Sequence, residues 1–228
     1  MKKGDEKMQK TELSDHFTIK KILLFSLPSI SMQLVDNTYQ VADGYFISNY
    51  ISKTAFAAEN MIFPPLAIVM FVGLMLGSGA SALISCSLGK GEKEKANRQL
   101  TLTVTAMIVL GIILSAVLYL LMPLIAGWTG ASEEMIDYCV EYGRILAMML
   151  PFQMLNTAFH PLFITADRPG FGLAVSIVNA VVNIFLDWML VAVFSKGLFG
   201  AALATGISWV FSATKIMIRR VCFYLQTC

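Results

Sequence analysis

Three polar side chains, Asn179, Asn183 and Asp187, recur four residues apart in NAVVNIFLD, inside a run otherwise built of Val, Ile, Leu, Phe, Met and Trp. At about 100° per residue they fall on one stripe of a helix. A carboxyl in such a run costs roughly 2.5–3.5 kcal/mol in a bilayer, so it faces protein or water and marks a functional position. A second set, Asp36, Tyr39, Gln40 and Asp43, occupies offsets 0, 3, 4 and 7, again one helical face. A third, Gln153, Asn156, Thr157 and His160, repeats those offsets. Carboxyls with amide and hydroxyl neighbours suit the binding of a proton or Na⁺: oxygens replace the hydration shell, and a low-dielectric setting lets a carboxyl hold a proton near neutral pH.

The elements that must position these groups are membrane helices. Apolar residues are 57% of the 228 and charged ones 14%, with mean hydropathy +0.69, against about 45–50% and about 25% in soluble domains. The apolar excess falls into six blocks, near 22–48, 63–88, 100–126, 136–165, 171–194 and 198–218, each long enough to span. Alternating ten-residue strands do not occur, which excludes a transmembrane barrel. The fold class is therefore all-α membrane, a six-helix up-down bundle over residues 22–220 behind a charged cytoplasmic tail, 1–21. That tail has no apolar core or small-residue cleavage site of a removable signal.

Several local features carry structural expectations. Pro28 predicts a bend in the first span, and Pro151 with Pro161 a broken fourth span. Lys53 and Glu59 read as part of a connection, with Pro64 and Pro65 near the start of the second span, where prolines are tolerated. Gly73, Gly77, Gly79 and Ala80, with Ser78 and Ser81, form a small-residue face for close helix approach, and Gly111 and Ser115 read as packing. LGKGEKEKANRQ lacks the GxxxxGK[ST] pattern of a phosphate loop and reads as a cytoplasmic turn. Cys86, Cys139, Cys222 and Cys228 have no metal-site spacing and read as packing residues.

All basic residues except Lys53, Lys196 and Arg144 lie on the tail side of the bundle, which places both termini in the cytoplasm. A net charge of +2 gives no reason to expect a nucleic-acid partner. At about 1.5 Å per residue, Asp187 and Thr205 lie roughly 10 Å from the outer ends of their helices, and Asp43 is also near the outer end of the first. Three helices thus bring polar groups to one level.

The order of LPSISMQLVDNTYQVADGYFIS, GLMLGSGASALISCSLGKG with KANRQ, ADRPGFG, VNIFLDWMLV and GAALATGIS resembles the N-terminal half of a multidrug and toxic compound extrusion transporter, over nearly the whole chain after residue 20. The resemblance implies one lobe of a twelve-helix, inverted V-shaped, multi-pass plasma-membrane protein. It also implies a cation-coupled antiporter, driven by H⁺ or Na⁺, that exports bulky amphiphilic or cationic organic compounds by alternating access. No cofactor beyond the coupling ion is implied. Motif by motif, Asp43, Asn183, Asp187 and Thr205 are similar to the family's cation site, where Na⁺ would bind, and Tyr39, Tyr142 and Asn156 to its polar surroundings. Asn179 reads as a structural neighbour. Asp36 and His160 stand where relatives often carry amides, and leave H⁺ and Na⁺ both open. The chain is about half a family member's length, so 221–228 would begin the inter-lobe connection, and the partners implied are membrane lipid and a C-terminal lobe or second half-transporter.

A lipid-intermediate flippase would want cationic cavity residues, and only Arg144 is available. An intramembrane aspartyl protease would want a GxGD-type sequence, which VADG and IFLD do not supply. An inactive half-transporter is the third alternative; none but the protease is an enzyme.

Overall fold

The computed structural model describes residues 19–165 and 169–225, with side chains described for Leu27, 30–163 and 170–214. The tail before residue 19, Arg168 with its turn, and the side chains of Pro28, Lys215, Arg219, Arg220, Cys222 and Cys228 lie outside the described set. Six long helices follow one another: α1 Ile19–Tyr50, α2 Lys53–Gly89, α3 Lys93–Trp128, α4 Glu133–Thr165, α5 Pro169–Asp187 and α6 Gly197–Leu225. A π-helical segment, Trp188–Val193, continues α5. Four of them are long and apolar enough to cross a membrane on composition alone: α2, α3, the α5 segment Gly170–Val193, and Gly197–Thr214 of α6. Among the described residues α1 and α4 fall short of that, and these are the helices carrying the polar sets around Asp43 and Asn156.

Helix boundaries moved where caps and turns decide them. Ser52 is extended and its Oγ accepts from the Ala55 N–H at 3.0 Å, an N-cap that starts α2 at Lys53. Lys53 and Glu59 are therefore helical rather than part of a connection, and Pro64 and Pro65 lie inside α2, not near its start. Likewise Lys93, Lys95 and Arg98 open α3, and the turn before it is confined to the residues around Gly91, whose φ of +76° suits glycine.

The expected break in the fourth span does not occur: α4 is continuous through Pro151 and Pro161. Proline 151 leaves the carbonyl four residues earlier without its helical donor. That carbonyl belongs to Ala147, and it accepts the Ser115 hydroxyl of α3 at 2.6 Å. Ser115 is thus a hydrogen-bonding partner and not only a packing residue, and the bond supplies what a bilayer cannot.

The centre of the bundle is α4, packed against α2, α3 and α6, while α1 pairs mainly with α5. Glycines bring α2 and α4 into backbone contact. A Cβ on Gly73 would stand 3.2 Å from the Met154 backbone, and one on Gly77 2.6 Å from that of Ala158. Gly111 of α3 meets Pro151 in the same way, at 2.9 Å. Gly79, by contrast, faces nothing within 4 Å, so the small-residue face is narrower than its sequence suggests. Ile62, Met122, Leu150 and Met154 fill the core between these helices.

Candidate functional site

Five helices deliver polar groups to one level near the turns joining α1 to α2, α3 to α4 and α5 to α6. Measured along their own helices, Asp43, Glu59, Tyr142, Asp187 and Thr205 stand six to nine residues from that end, or roughly 9–14 Å. Asp43 is 4% exposed, Thr205 5%, and Asn183 and Asp187 are fully buried.

A chain of donors runs across α5, α6 and α1. Asn183 Nδ2 donates to Thr205 Oγ1 at 3.3 Å, and Thr205 Oγ1 donates to Asp43 Oδ2 at 3.3 Å. The same Asp43 oxygen receives the Tyr142 hydroxyl at 3.5 Å. These are long bonds, and they leave much acceptor capacity unused. Asp43 Oδ1, Asn183 Oδ1, both carboxyl oxygens of Asp187 and Oε2 of Glu59 are buried without a hydrogen-bond donor. Buried polar atoms are paired in the great majority of cases; bare buried oxygens also occur on Asp36, Gln153 and Asn179, but Asp43, Asn183 and Asp187 bring theirs to one level beside Thr205. That arrangement fits a proton or a hard monovalent cation such as Na⁺, which Asp43, Asn183, Asp187 and Thr205 would hold through oxygen ligands. Among the described residues no three His, Cys, Asp or Glu side chains are grouped as ligands for a metal ion.

Asp187 sits at the point where α5 gives way to the π-helical segment, in which Phe194 N–H reaches back to Met189 O at 2.9 Å. Such insertions re-aim the residues beyond them and recur at functional sites. No periodicity in the sequence announces one.

Residues 28–189 match the family described as MatE. The chain belongs to the MatE family, that of the multidrug and toxic compound extrusion transporters. Among similar proteins are the multidrug export proteins MepA of Staphylococcus aureus strain MRSA252, 28% identical over 94% of this chain and 47% of the relative, and of Staphylococcus saprophyticus, 26% identical over the same shares. The chain thus spans about half the length of these relatives. Its fold is similar to that of a MATE transporter in the bent conformation, at a TM-score of 0.79 and 23% identity over 86% of this chain and 44% of that one. It is also similar to the outward-facing conformation of a multidrug resistance MATE family transporter, at 0.77 and 24% with the same coverage. The all-α membrane bundle read from the sequence is the fold of this family.

Within this MatE chain the remaining polar residues form a separate group. Asp36 Oδ2 lies 3.6 Å from His160 Nε2, with Ser176 beside the carboxyl. Asn156 Oδ1 accepts the Ser212 hydroxyl at 2.9 Å, so Asn156 is tied to α6 rather than to the carboxyls. Tyr39 is buried between the groups, within electrostatic reach of Asp36 and Asp43. Asn179 is 1% exposed and makes no side-chain hydrogen bond, unlike a residue fixed by interhelical bonding. Arg144 stacks its guanidinium 5.2 Å from the Tyr119 ring centre. An apolar recess of about 560 Å³ between α3, α4 and α6, lined by Ile108, Ile112 and Phe152 among others, contains none of the acids.

Sequence reading missed Glu59. The signals for it were the Ser52 cap followed by KTAFAAEN, rich in helix formers, and the buried positions Ala55, Ala58 and Ile62, which set a helical face beside Glu59.

Proposed function

We propose that this chain is the N-terminal lobe of a plasma-membrane exporter in which H⁺ or Na⁺ enters at Asp43 and Asp187 and is exchanged for a bulky amphiphilic or cationic organic compound by alternating access. The observation that carries this reading is the group of bare acceptor oxygens on Asp43, Asn183 and Asp187. Burial without donors makes the empty site costly and a bound cation stabilising. The names of the MepA relatives support multidrug export as the transport reaction.

The chemistry follows from the donors present. A cation held between α1, α5 and α6 replaces repulsion between carboxyls with attraction, and draws the three helices together. Its release reverses this. Such differential stabilisation is what a ligand needs in order to shift a protein between conformations. Both termini lie in the cytoplasm in this reading, from the distribution of lysine and arginine, and a C-terminal lobe or second half-transporter faces this one.

The test is cation-gradient-driven efflux of a fluorescent cationic dye from proteoliposomes carrying the full protein. Loss of gradient-driven efflux in D43N and in D187N is expected. Efflux that survives both substitutions sinks the assignment.

A further inference from the structure

We propose that the face formed by α3 and α4 binds one anionic phospholipid, with its phosphate on the Arg144 guanidinium and an acyl chain in the apolar recess beside it. None of the acids of the cation site takes part. Only the half of the bilayer, the outer one, is taken from the orientation proposed above.

Head and tail positions are joined by the register of two antiparallel helices. Gly111 meets Pro151, the Ser115 hydroxyl donates to Ala147 O, and the Tyr119 ring carries Arg144, each contact one turn further along both helices. The recess is lined by Ile112 and Ser115 of α3 and by Met148 and Phe152 of α4, with Thr214 of α6 at its side. Tyr119 and Arg144 therefore stand at its outer end, one turn beyond Ser115 and Met148. The hydroxyls that line it are already used: Ser115 on Ala147 O at 2.6 Å and Thr214 on Val210 O at 2.7 Å. What the recess offers is hydrocarbon surface, and Ile112 and Met148, 57% and 52% exposed, leave it open to the bilayer. A volume of about 560 Å³ with that lining suits an acyl chain and no polar group.

The height and charge of Arg144 define the other end of the ligand. Arg98 is the last charged residue of α3, and about 20 residues further, where a bilayer's hydrocarbon ends, the helix has reached Tyr119. Arg144 shares that level through its 5.2 Å contact with the ring. Helical side chains incline toward their own N-terminus, and α4 begins at the α3–α4 turn, so the guanidinium is aimed at the headgroups. Among the described residues no acid forms an ion pair with it, Glu141 one turn away included, and its buried Nε has no acceptor. A cation at the edge of a span, stabilised only by an aromatic face, lacks the counter-charge such groups normally find. Phosphate oxygens supply it, because the guanidinium fork binds them in pairs. An unbalanced cation at the mouth of a hydrocarbon recess thus matches a molecule with a negative head and an apolar tail.

The experiment titrates the detergent-purified full protein with dioleoyl phosphatidylglycerol and, separately, dioleoyl phosphatidylcholine, and counts bound lipids by native mass spectrometry. Wild type is expected to take one phosphatidylglycerol at about tenfold lower concentration than phosphatidylcholine, whose choline cation already balances its phosphate. R144Q brings the two lipids level, and R144K loses several-fold of the preference, because an ammonium has no fork. I112W, which fills the recess, weakens both lipids, while K95Q, at the opposite end of α3, changes neither. Glycerol phosphate, a headgroup without chains, does not compete. Should R144Q not fold, R144K carries the headgroup test. A wild-type preference in whichever of the two folds overturns the role of Arg144, unchanged binding in I112W overturns the recess as the chain site, and competition by glycerol phosphate overturns a lipid as the occupant. No cation gradient enters the measurement, so its outcome is independent of transport at Asp43 and Asp187.

Discussion

Helix α1 carries two acids seven residues apart, Asp43 and Asp36, and the protein surrounds them with different neighbours. Asp36 is partly exposed, at 17%, and stands beside His160, itself 16% exposed, at 3.6 Å. Asp43 is buried with Asp187 and Asn183, and the oxygens in that group outnumber the donors offered to them. A polar group that is paired where it is buried contributes to the assembly of helices. Asp36 too keeps one buried oxygen without a donor, but around Asp43 such oxygens come from three helices at one level. The same residue type on the same helix face thus differs in role through what α2, α4, α5 and α6 bring to it.

The largest effect expected from this difference is at Asp187, whose carboxyl oxygens both lack donors. D187N should reduce gradient-driven dye efflux to the leak of empty vesicles, while the melting temperature of the purified protein stays level or rises. The amide keeps the carboxyl's shape and puts no charge in the buried site, so no loss of stability is expected. A D187N protein that is both inactive and strongly destabilised would make Asp187 structural and erase the contrast with Asp36.

Thr205 should show an intermediate effect. Its hydroxyl receives from Asn183 and donates to Asp43, both at 3.3 Å. T205V keeps the shape and deletes both bonds, each worth about 0.5–1.5 kcal/mol. The concentration of driving cation for half-maximal efflux should rise by about fivefold to 150-fold, and T205S should restore it. Failure of T205S to restore it would mean that the methyl group, not the hydroxyl, is what the site uses.

How much of this was readable follows from what sets each feature. The six helices, the level shared by Asp43, Asp187 and Thr205, and the family were legible, because bilayer length and helical period act on local sequence. The helical placement of Glu59 was not, since it depends on where α2 begins, and a single cap at Ser52 moved that start ten residues ahead of the expected one. The continuity of α4 through Pro151 depends on a hydroxyl from another helix, Ser115, which no local pattern encodes. The π-helical segment after Asp187 likewise has no mark in the local sequence period.

The smallest effect should come from the Asp36–His160 pair, and it sharpens the comparison from the other side. At 3.6 Å the two side chains are neighbours beyond hydrogen-bond distance. In D36N, H160N and the double variant, melting temperatures should give a coupling energy below about 1 kcal/mol in a double-mutant cycle. Cation-driven efflux should stay within about threefold of wild type in all three, because the oxygens around Asp43 and Asp187 are untouched. Loss of efflux in H160N comparable to that in D187N would break the distinction, since a paired, partly exposed histidine would then be as necessary to transport as a buried carboxyl with no partner.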